Sequence, residues 1–378
     1  MAPPLPGAAA PDGVRMREKW SLPPQPVQRD ILALLRGETP PEGAPPPSID
    51  EALRRYECGG YLNGLWTRNG RASALEPGWT SALARSHRKT AIDTLAALGE
   101  LRRAGRILTD AGIPFLLLKG AAYLVDLYED PAERVLTDVD LLIRRSDAGR
   151  AARRLSQEGF RPVAEGYRPE YRRFEMERPG PDPCRIELHF RVGMPLRARV
   201  DQNAIWRRAV PCSLEGIGCG RLHPEDAILY HAAHLADHYY GPSLKWAIDL
   251  REMLRRWRPD AGALLERSAA WRTRTALHLA LLHVAKLFPD DAPPVGLLAG
   301  TAPGRLRRAL LSAHLSGDPL ALFVIPEIRH PRRYLLRLLM VDRAADAAGL
   351  GVAALLRPVL AAVRRALGRD DPPWEWSD

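Results

Sequence analysis

The sequence predicts an α+β protein, a small mixed sheet flanked by N-terminal and C-terminal helical domains, and three observations carry the prediction. Between Phe115 and Val192 the apolar residues either run continuously or alternate with polar ones, the period of two that a strand imposes on its faces. Upstream, a helical pattern of about thirty residues, Ala82 to Ala111, leads into that region. From Pro224 helical start signals and periodicity continue nearly to the end of the chain. With 378 residues, two to three domains are expected. The boundaries fall as a disordered tail over 1–26, a helical lobe over 27–105, a sheet-bearing domain over 106–222 and a helical domain over 223–378.

Met1 to Gly13 is rich in Pro and Ala and almost uncharged, which suits disorder. Val27 to Arg36 reads as a helix and Pro40 to Pro47 as a linker. Ser48, followed three residues later by Glu51, is a capping-box start for the helix of Leu53 and Tyr56. Phe115 to Leu118 is a buried strand that stops at Lys119-Gly120, and Ala121 to Tyr128 has a short helical pattern. VLTDVDLLI is the next strand. Ser146 is placed to cap a helix over Asp147 to Glu158 that Gly159 closes, and Phe160 to Val163 is an edge strand. YRRFEMERP and CRIELHFRV alternate on either side of Pro179-Gly180-Pro181-Asp182-Pro183, a hairpin pattern. Trp206 to Leu222 contains Gly216, Gly218 and Gly220 and reads as a loop, because no helix opens directly after the GxGxG.

In the C-terminal region Pro224 at the first helical position, with Glu225 and Asp226 behind it, starts a helix that Gly241-Pro242 is expected to stop. Ile228, Ala232, Leu235 and Tyr239 form its buried stripe, which sets His231, His234 and His238 beside the core. His234 and His238, one turn apart, permit a zinc reading, but no HExxH glutamate lies between them and a structural or cleft-lining role is favoured. Lys245 and Asp249 lie one turn apart on the next helix, the spacing of a surface ion pair. Tyr334 to Arg343 and Gly351 to Arg369, the latter kinked at Pro358, are arginine-punctuated helices. Packing with snorkelling arginine stems is favoured for them over a membrane surface.

The chemistry concentrates around Asp138 and Asp140. Two residues apart in a strand, they share a face, and a divalent cation is one direct way to hold two such charges together in an apolar run. A strand with one solvated face is the competing account. Lys119 is one of only five lysines in a chain dominated by arginine. At the end of a buried strand it faces either a phosphate, as a compact point charge, or Asp138 and Asp140 themselves. A glycine at such a turn lets backbone N–H groups approach a phosphate, so Gly120 joins the candidates. Metal-assisted phosphoryl chemistry calls for a third carboxylate, and Glu187 supplies one, with Arg185 and His189 on its own face.

The motifs Leu118-Lys119-Gly120, Arg134 and Asp138 to Leu142 are where the chain resembles a known family. It is similar to the nucleotidyltransferases of the DNA polymerase β superfamily, and most of all to a bacterial branch of largely uncharacterised members, over roughly Ile113 to Val192. The resemblance implies a polymerase β-like core in which Asp138, Asp140 and Glu187 bind magnesium and carry catalysis. Lys119, Gly120, Arg134 and Lys245 would bind the nucleotide, with the helix of Lys245 overhanging the cleft. The reaction implied moves a nucleoside monophosphate from NTP to an unidentified small-molecule or protein acceptor. One departure stands out: Lys-Gly replaces the Gly-Ser turn of the better-studied members.

Hydrophobic residues make up 46% and charged residues 26%, ordinary for a soluble globular chain. A net charge of +10 and a pI of about 9.7 would suit nucleic acid or a nucleotide, although an arginine, alanine and proline bias also follows from a GC-rich genome. A nucleic-acid-binding protein is thus one alternative, but interleaved aromatics and any known binding module are missing. A nucleotide-binding module without catalysis is the other. The cysteines Cys58, Cys184, Cys212 and Cys219 show no CxxC spacing. With no signal peptide and no transmembrane segment evident, a reduced, cytoplasmic setting is expected.

Overall fold

The computed structural model describes residues 23–38, 43–163, 173–180, 183–193, 197–241, 243–323 and 331–352. Most of the N-terminal tail and the Pro358 helix lie outside these residues. Seven strands, β1 (Phe115–Leu117), β2 (Asp138–Ile143), β3 (Arg161–Pro162), β4 (Arg173–Glu177), β5 (Arg185–His189), β6 (Val210–Leu214) and β7 (Ile217–Arg221), form one mixed sheet in the order β3-β4-β5-β2-β1-β7-β6. The central strand β2 runs antiparallel to β1 and parallel to β5, and β1 in turn runs parallel to β7.

The alternation in sequence becomes two unlike faces. Val139, Leu141 and Ile143 of β2, Ile186 and Leu188 of β5, and Phe174 and Met176 of β4 are fully buried on one side. The long helix Pro77–Asp110 packs against β2, β5 and β7 through a stripe that includes Leu101, Ala104 and Leu108. Gly105 belongs to that stripe because a Cβ there would lie 3.1 Å from Ile217 and 3.4 Å from the ring of Phe115. The helix Ala148–Gln157 lies against Pro77–Asp110 through the small residues Ala148, Ala151 and Ala152.

Helices from both ends of the chain are tied together. The Arg36 guanidinium, at the end of the helix Gln25–Arg36, caps the helix Arg274–Leu287 by donating to the carbonyls of Leu287 (3.1 Å) and Lys286 (3.0 Å). The amide of Leu244 donates to Tyr56 O at 2.9 Å, and the Tyr61 hydroxyl donates to Glu252 at 2.9 Å.

Several expectations change. The first helix begins at Gln25, inside the stretch assigned to the tail. Ser48 precedes the helix Ile49–Tyr56 but makes no side-chain cap, because its ψ of 4° belongs to a turn closed by Ile49 N–H on Pro46 O. Ser146 lies inside a 3-10 turn, Arg145–Asp147, that feeds the helix Ala148–Gln157 directly. The glycine-rich segment is no loop. It is the β6–β7 hairpin, turned by Glu215 (φ 55°) and Gly216 (φ 75°), and two consecutive positive φ values are what a tight two-residue hairpin needs. Gly220 is required there because a Cβ would come within 2.6 Å of Leu116 on β1. The helix Pro224–Asp237 also ends before Gly241, where Tyr239 and Tyr240 both turn left-handed. The buried Tyr240 hydroxyl donates to Ala276 O at 2.8 Å, which holds that turn in place.

Candidate active site

The register of the sheet assembles the site. Asp140 pairs with Glu187 across β2 and β5, and Glu187 pairs with Glu175 across β5 and β4, so three carboxylates stand in one level row. All three are buried, with relative exposures of 3%, 6% and 5% for Asp140, Glu187 and Glu175. Such a row is tenable only because cations answer it. Lys119 Nζ donates to Asp140 Oδ1 at 2.7 Å. Arg173 bonds Glu187 and lies 3.0 Å from Glu175 Oε1, while Arg185 reaches Glu175 Oε2 at 3.3 Å. His189 Nε2 lies 2.8 Å from Asp140 Oδ1 and 3.3 Å from Glu187 Oε2. Both neighbours only accept, so Nε2 carries the proton.

Burial works against every charge in this row, and the partners decide the balance. For Asp140 the Lys119 ammonium and the His189 bond outweigh desolvation and hold the carboxyl well below the usual carboxylate range. Lys119 is likewise desolvated, yet Asp140 keeps its ammonium above the ordinary lysine value. His189 goes the other way: burial pushes it down, and Asp140 only partly offsets that.

In the turn after β1, the strained backbone belongs to the lysine. Lys119, not Gly120, has the left-handed backbone, with φ of 45°. Gly120 is needed for space, since a Cβ would meet Leu136 at 2.7 Å and the Arg134 guanidinium at 3.0 Å. Arg134 is itself buried and grips Asp249 with two donors, Nε to Oδ1 at 3.1 Å and Nη2 to Oδ2 at 2.9 Å, while Tyr128 OH donates to Oδ1 at 2.6 Å. This network props the Lys119-Gly120 turn from beneath. The expected surface pair of Lys245 and Asp249 does not form: Asp249 turns inward to Arg134, and Lys245 Nζ bonds Glu57 Oε1 at 2.6 Å.

Among the described residues, the donors close enough to share a cation are Asp140, Glu187 and His189, whose ligand atoms lie within 4.8 Å of one another. Asp138 is outside that group. It sits half-buried at the start of β2, where Thr137 Oγ1 approaches it at 3.4 Å, so it marks the rim of the site and Asp140 its floor. Two carboxylates and an imidazole suit a divalent cation that accepts both oxygen and nitrogen.

The helix Pro224–Asp237 contributes Tyr230, which the sequence did not single out, and His234, which it did as a cleft-lining candidate. The Tyr230 phenol is raised first by burial, and the charges of Lys119, Asp140, Arg173 and Asp138 act on it as well. One turn on, burial drives His234 well below its ordinary value, with His238 and Lys119 adding to the effect. His234 and His238 pack tilted against each other (ring centroids 4.5 Å) and against Trp246, edge-on at 5.2 Å and tilted at 5.0 Å, an aromatic cluster with no third metal donor among the described residues. His231 does not flank the core but fills it, at 1% exposure. Its Nε2 donates to Trp246 O at 2.8 Å, so Nδ1 accepts from Tyr123 OH at 3.0 Å. Glu175 and Arg173 were within reach of sequence reasoning, because RFEME alternates in the same way as RIELH.

The family model described as an uncharacterised nucleotidyltransferase matches residues 62–289, more than half of the chain and all of the site. No curated protein matches. Among solved structures, an antigenic nucleotidyltransferase-like protein from Paracoccidioides brasiliensis is 17% identical over 56% of this chain and 94% of its own, with a TM-score of 0.33, too low to establish a shared fold.

Proposed function

The chain belongs to the uncharacterised nucleotidyltransferase family, and from that premise we propose that it moves a nucleoside monophosphate from NTP to an acceptor hydroxyl or phosphate, releasing pyrophosphate, in the cytoplasm. The observation that carries this reading is the buried row of Asp140 and Glu187, with His189 between them and Lys119 at the end of the neighbouring strand. A bound magnesium or manganese ion would supply Lewis-acid stabilisation of the transferring phosphoryl group. Asp140 and Glu187 would hold that cation, with Asp138 closing the site from the rim and His189 as the nitrogen donor. Neutral His189 points its Nε2 at both carboxylates, and it would fit the donor set in the tautomer with the proton on Nδ1, since the Nε2–H that now bonds the carboxylates would have to give way to the cation.

The remaining roles fall to protein groups. Lys119 would leave Asp140 for the triphosphate when a cation replaces it, and the Gly120 amide would face the same anion. Arg134 would act through the turn, since its guanidinium is committed to Asp249. Lys245, clamped to Glu57, is assigned the wall of the cleft. Glu187 would take the proton of the attacking hydroxyl. The family resemblance supports a polymerase β-like arrangement of these strands, and the absence of any described helix long and apolar enough to cross a membrane is compatible with the location proposed.

One observation favours a second reading, a nucleotide-binding module without turnover: Lys119, Arg173 and Arg185 already compensate all three buried carboxylates. Incubation with cell lysate, magnesium or manganese and each labelled NTP separates the two. Transfer predicts metal-dependent pyrophosphate release and a labelled acceptor visible by mass spectrometry. Nucleotide binding without pyrophosphate from any of the NTPs would leave the module.

A further inference from the structure

The hairpin β6–β7, at the edge of the sheet, holds a pair of thiols that the proposed reaction does not use. Cys212 and Cys219 stand opposite each other in its register. Opposed residues of an antiparallel pair lie about 4.5 to 5.5 Å apart at Cα, inside the roughly 4.4 to 6.8 Å that a disulfide spans. The two side chains share a face, and their Sγ atoms meet at 3.5 Å in a hydrogen bond. Both are free thiols and both are partly exposed. Their opposition is also fixed at both ends of the hairpin. Glu215 and Gly216 close the turn with positive φ, and Gly220 is held against Leu116 of β1.

The other two cysteines lie in different surroundings. Cys58 is fully buried, and burial lifts its thiol far above the ordinary value. Cys184 is pushed up to about 12, again first by burial, and its Sγ turns to the carbonyls of Thr137 (3.9 Å) and Arg185 (3.8 Å). In the hairpin the sulfurs act on each other. The bond from Cys219 comes first in holding Cys212 below the ordinary thiol value, and the Arg221 guanidinium adds to it against burial and the charge of Asp126. Cys219 moves the other way, raised first by that same bond and then by burial. The thiolate is the nucleophile, so Cys212 attacks and Cys219 resolves.

We propose that Cys212 and Cys219 form a reversible modification site, a dithiol that closes to a cross-strand disulfide by exchange with a low-molecular-weight disulfide. The Cys212 thiolate attacks one sulfur of the reagent, the reagent's S–S bond breaks, and the first thiol leaves with a proton from solvent. Cys219 then loses its proton and attacks Cys212 Sγ, which releases the second thiol and leaves the protein bond. Two protein thiols are oxidised to one disulfide, and one reagent disulfide is reduced to two thiols. In a reducing setting the pair rests open, as intracellular thiols do.

The test uses the reduced full chain, folded and without nucleotide, incubated with oxidised glutathione and then unfolded, alkylated with iodoacetamide and digested with trypsin. Cleavage after Arg208 and Arg221 places both cysteines in one peptide, 209–221. That peptide should emerge two hydrogens lighter and without alkyl groups, while the peptides of Cys58 and Cys184 stay alkylated. Dithiothreitol should restore it. Its oxidation should be roughly tenfold or more faster than any reaction at Cys58 or Cys184. Cys219→Ser, confirmed as folded by circular dichroism, should stop at a glutathione adduct on Cys212. Should that variant fail to fold, the wild-type peptide decides alone. The proposal is overturned if peptide 209–221 takes up two alkyl groups, if the wild type stops at a glutathione adduct, or if Cys58 or Cys184 reacts as fast.

Discussion

The two faces of strands β2, β4 and β5 are almost equally buried and are stabilised in opposite ways. On one face Val139, Leu141, Ile186, Leu188 and Phe174 gain free energy in proportion to the apolar area withdrawn from water. On the other, Asp140, Glu187 and Glu175 are withdrawn just as fully, and their cost is met only by specific partners. Replacing a whole buried ion pair by apolar groups is often neutral or stabilising, so such a row is poor value as stability alone. That one face of the sheet gains so little stability from its burial supports the proposal that it serves binding or chemistry.

The comparison breaks first at the Lys119–Asp140 pair. Lys119→Met leaves a buried carboxylate beside a neutral His189, and urea denaturation of the metal-free protein should show a loss of roughly 3 to 5 kcal/mol. Lys119→Met with Asp140→Leu should recover much of that loss, and purely additive losses would abolish the distinction between the faces. Leu188→Ala, on the apolar face of β5, should cost roughly 2 to 5 kcal/mol, with no rescue from any change on the polar face.

Acidity sharpens the contrast more gently. Asp140 is depressed in the folded state, so its contribution is present above the unfolded value of about 4 and fades as pH falls below it. Lys119 is raised, so its contribution is present below about 10.4 and fades as pH rises past that towards the folded value. His189 is lowered and buried neutral, so stability declines as pH falls below about 6.5. His189→Gln should remove part of the decline below pH 6.5, and stability curves of both proteins across pH 4.5 to 8 would show whether it does. Buried His231 and His283 are lowered as well, so some decline should persist. The smallest effect is expected at the rim: Asp138→Asn should change stability by no more than about 0.5 kcal/mol in the same denaturation assay.

Strands β1, β2, β4 and β5 were legible because apolar alternation is a direct consequence of strand geometry, and Asp138, Asp140, Glu187 and Lys119 were legible as interruptions of it. The β6–β7 hairpin was not, because Gly216, Gly218 and Gly220 dilute the strand pattern. What makes Gly220 necessary is Leu116, a residue 104 positions earlier. His231 was misjudged because a helix buried on more than one side has no single stripe: Tyr123 and the Trp246 carbonyl both arrive from elsewhere. Arg134 illustrates the same limit. Its motif was visible, but its partner Asp249 could be found only in three dimensions.

The central claim is that the polar face binds a nucleoside triphosphate through a divalent cation held on Asp140. Calorimetric titration of each NTP into wild type and Asp140→Asn, with and without manganese or magnesium, tests it most directly. At least one NTP should bind the wild type tightly only when the cation is present, and Asp140→Asn, confirmed as folded by circular dichroism, should lose that cation-dependent binding. Equal affinity in the folded variant, or binding indifferent to the cation, would contradict the account.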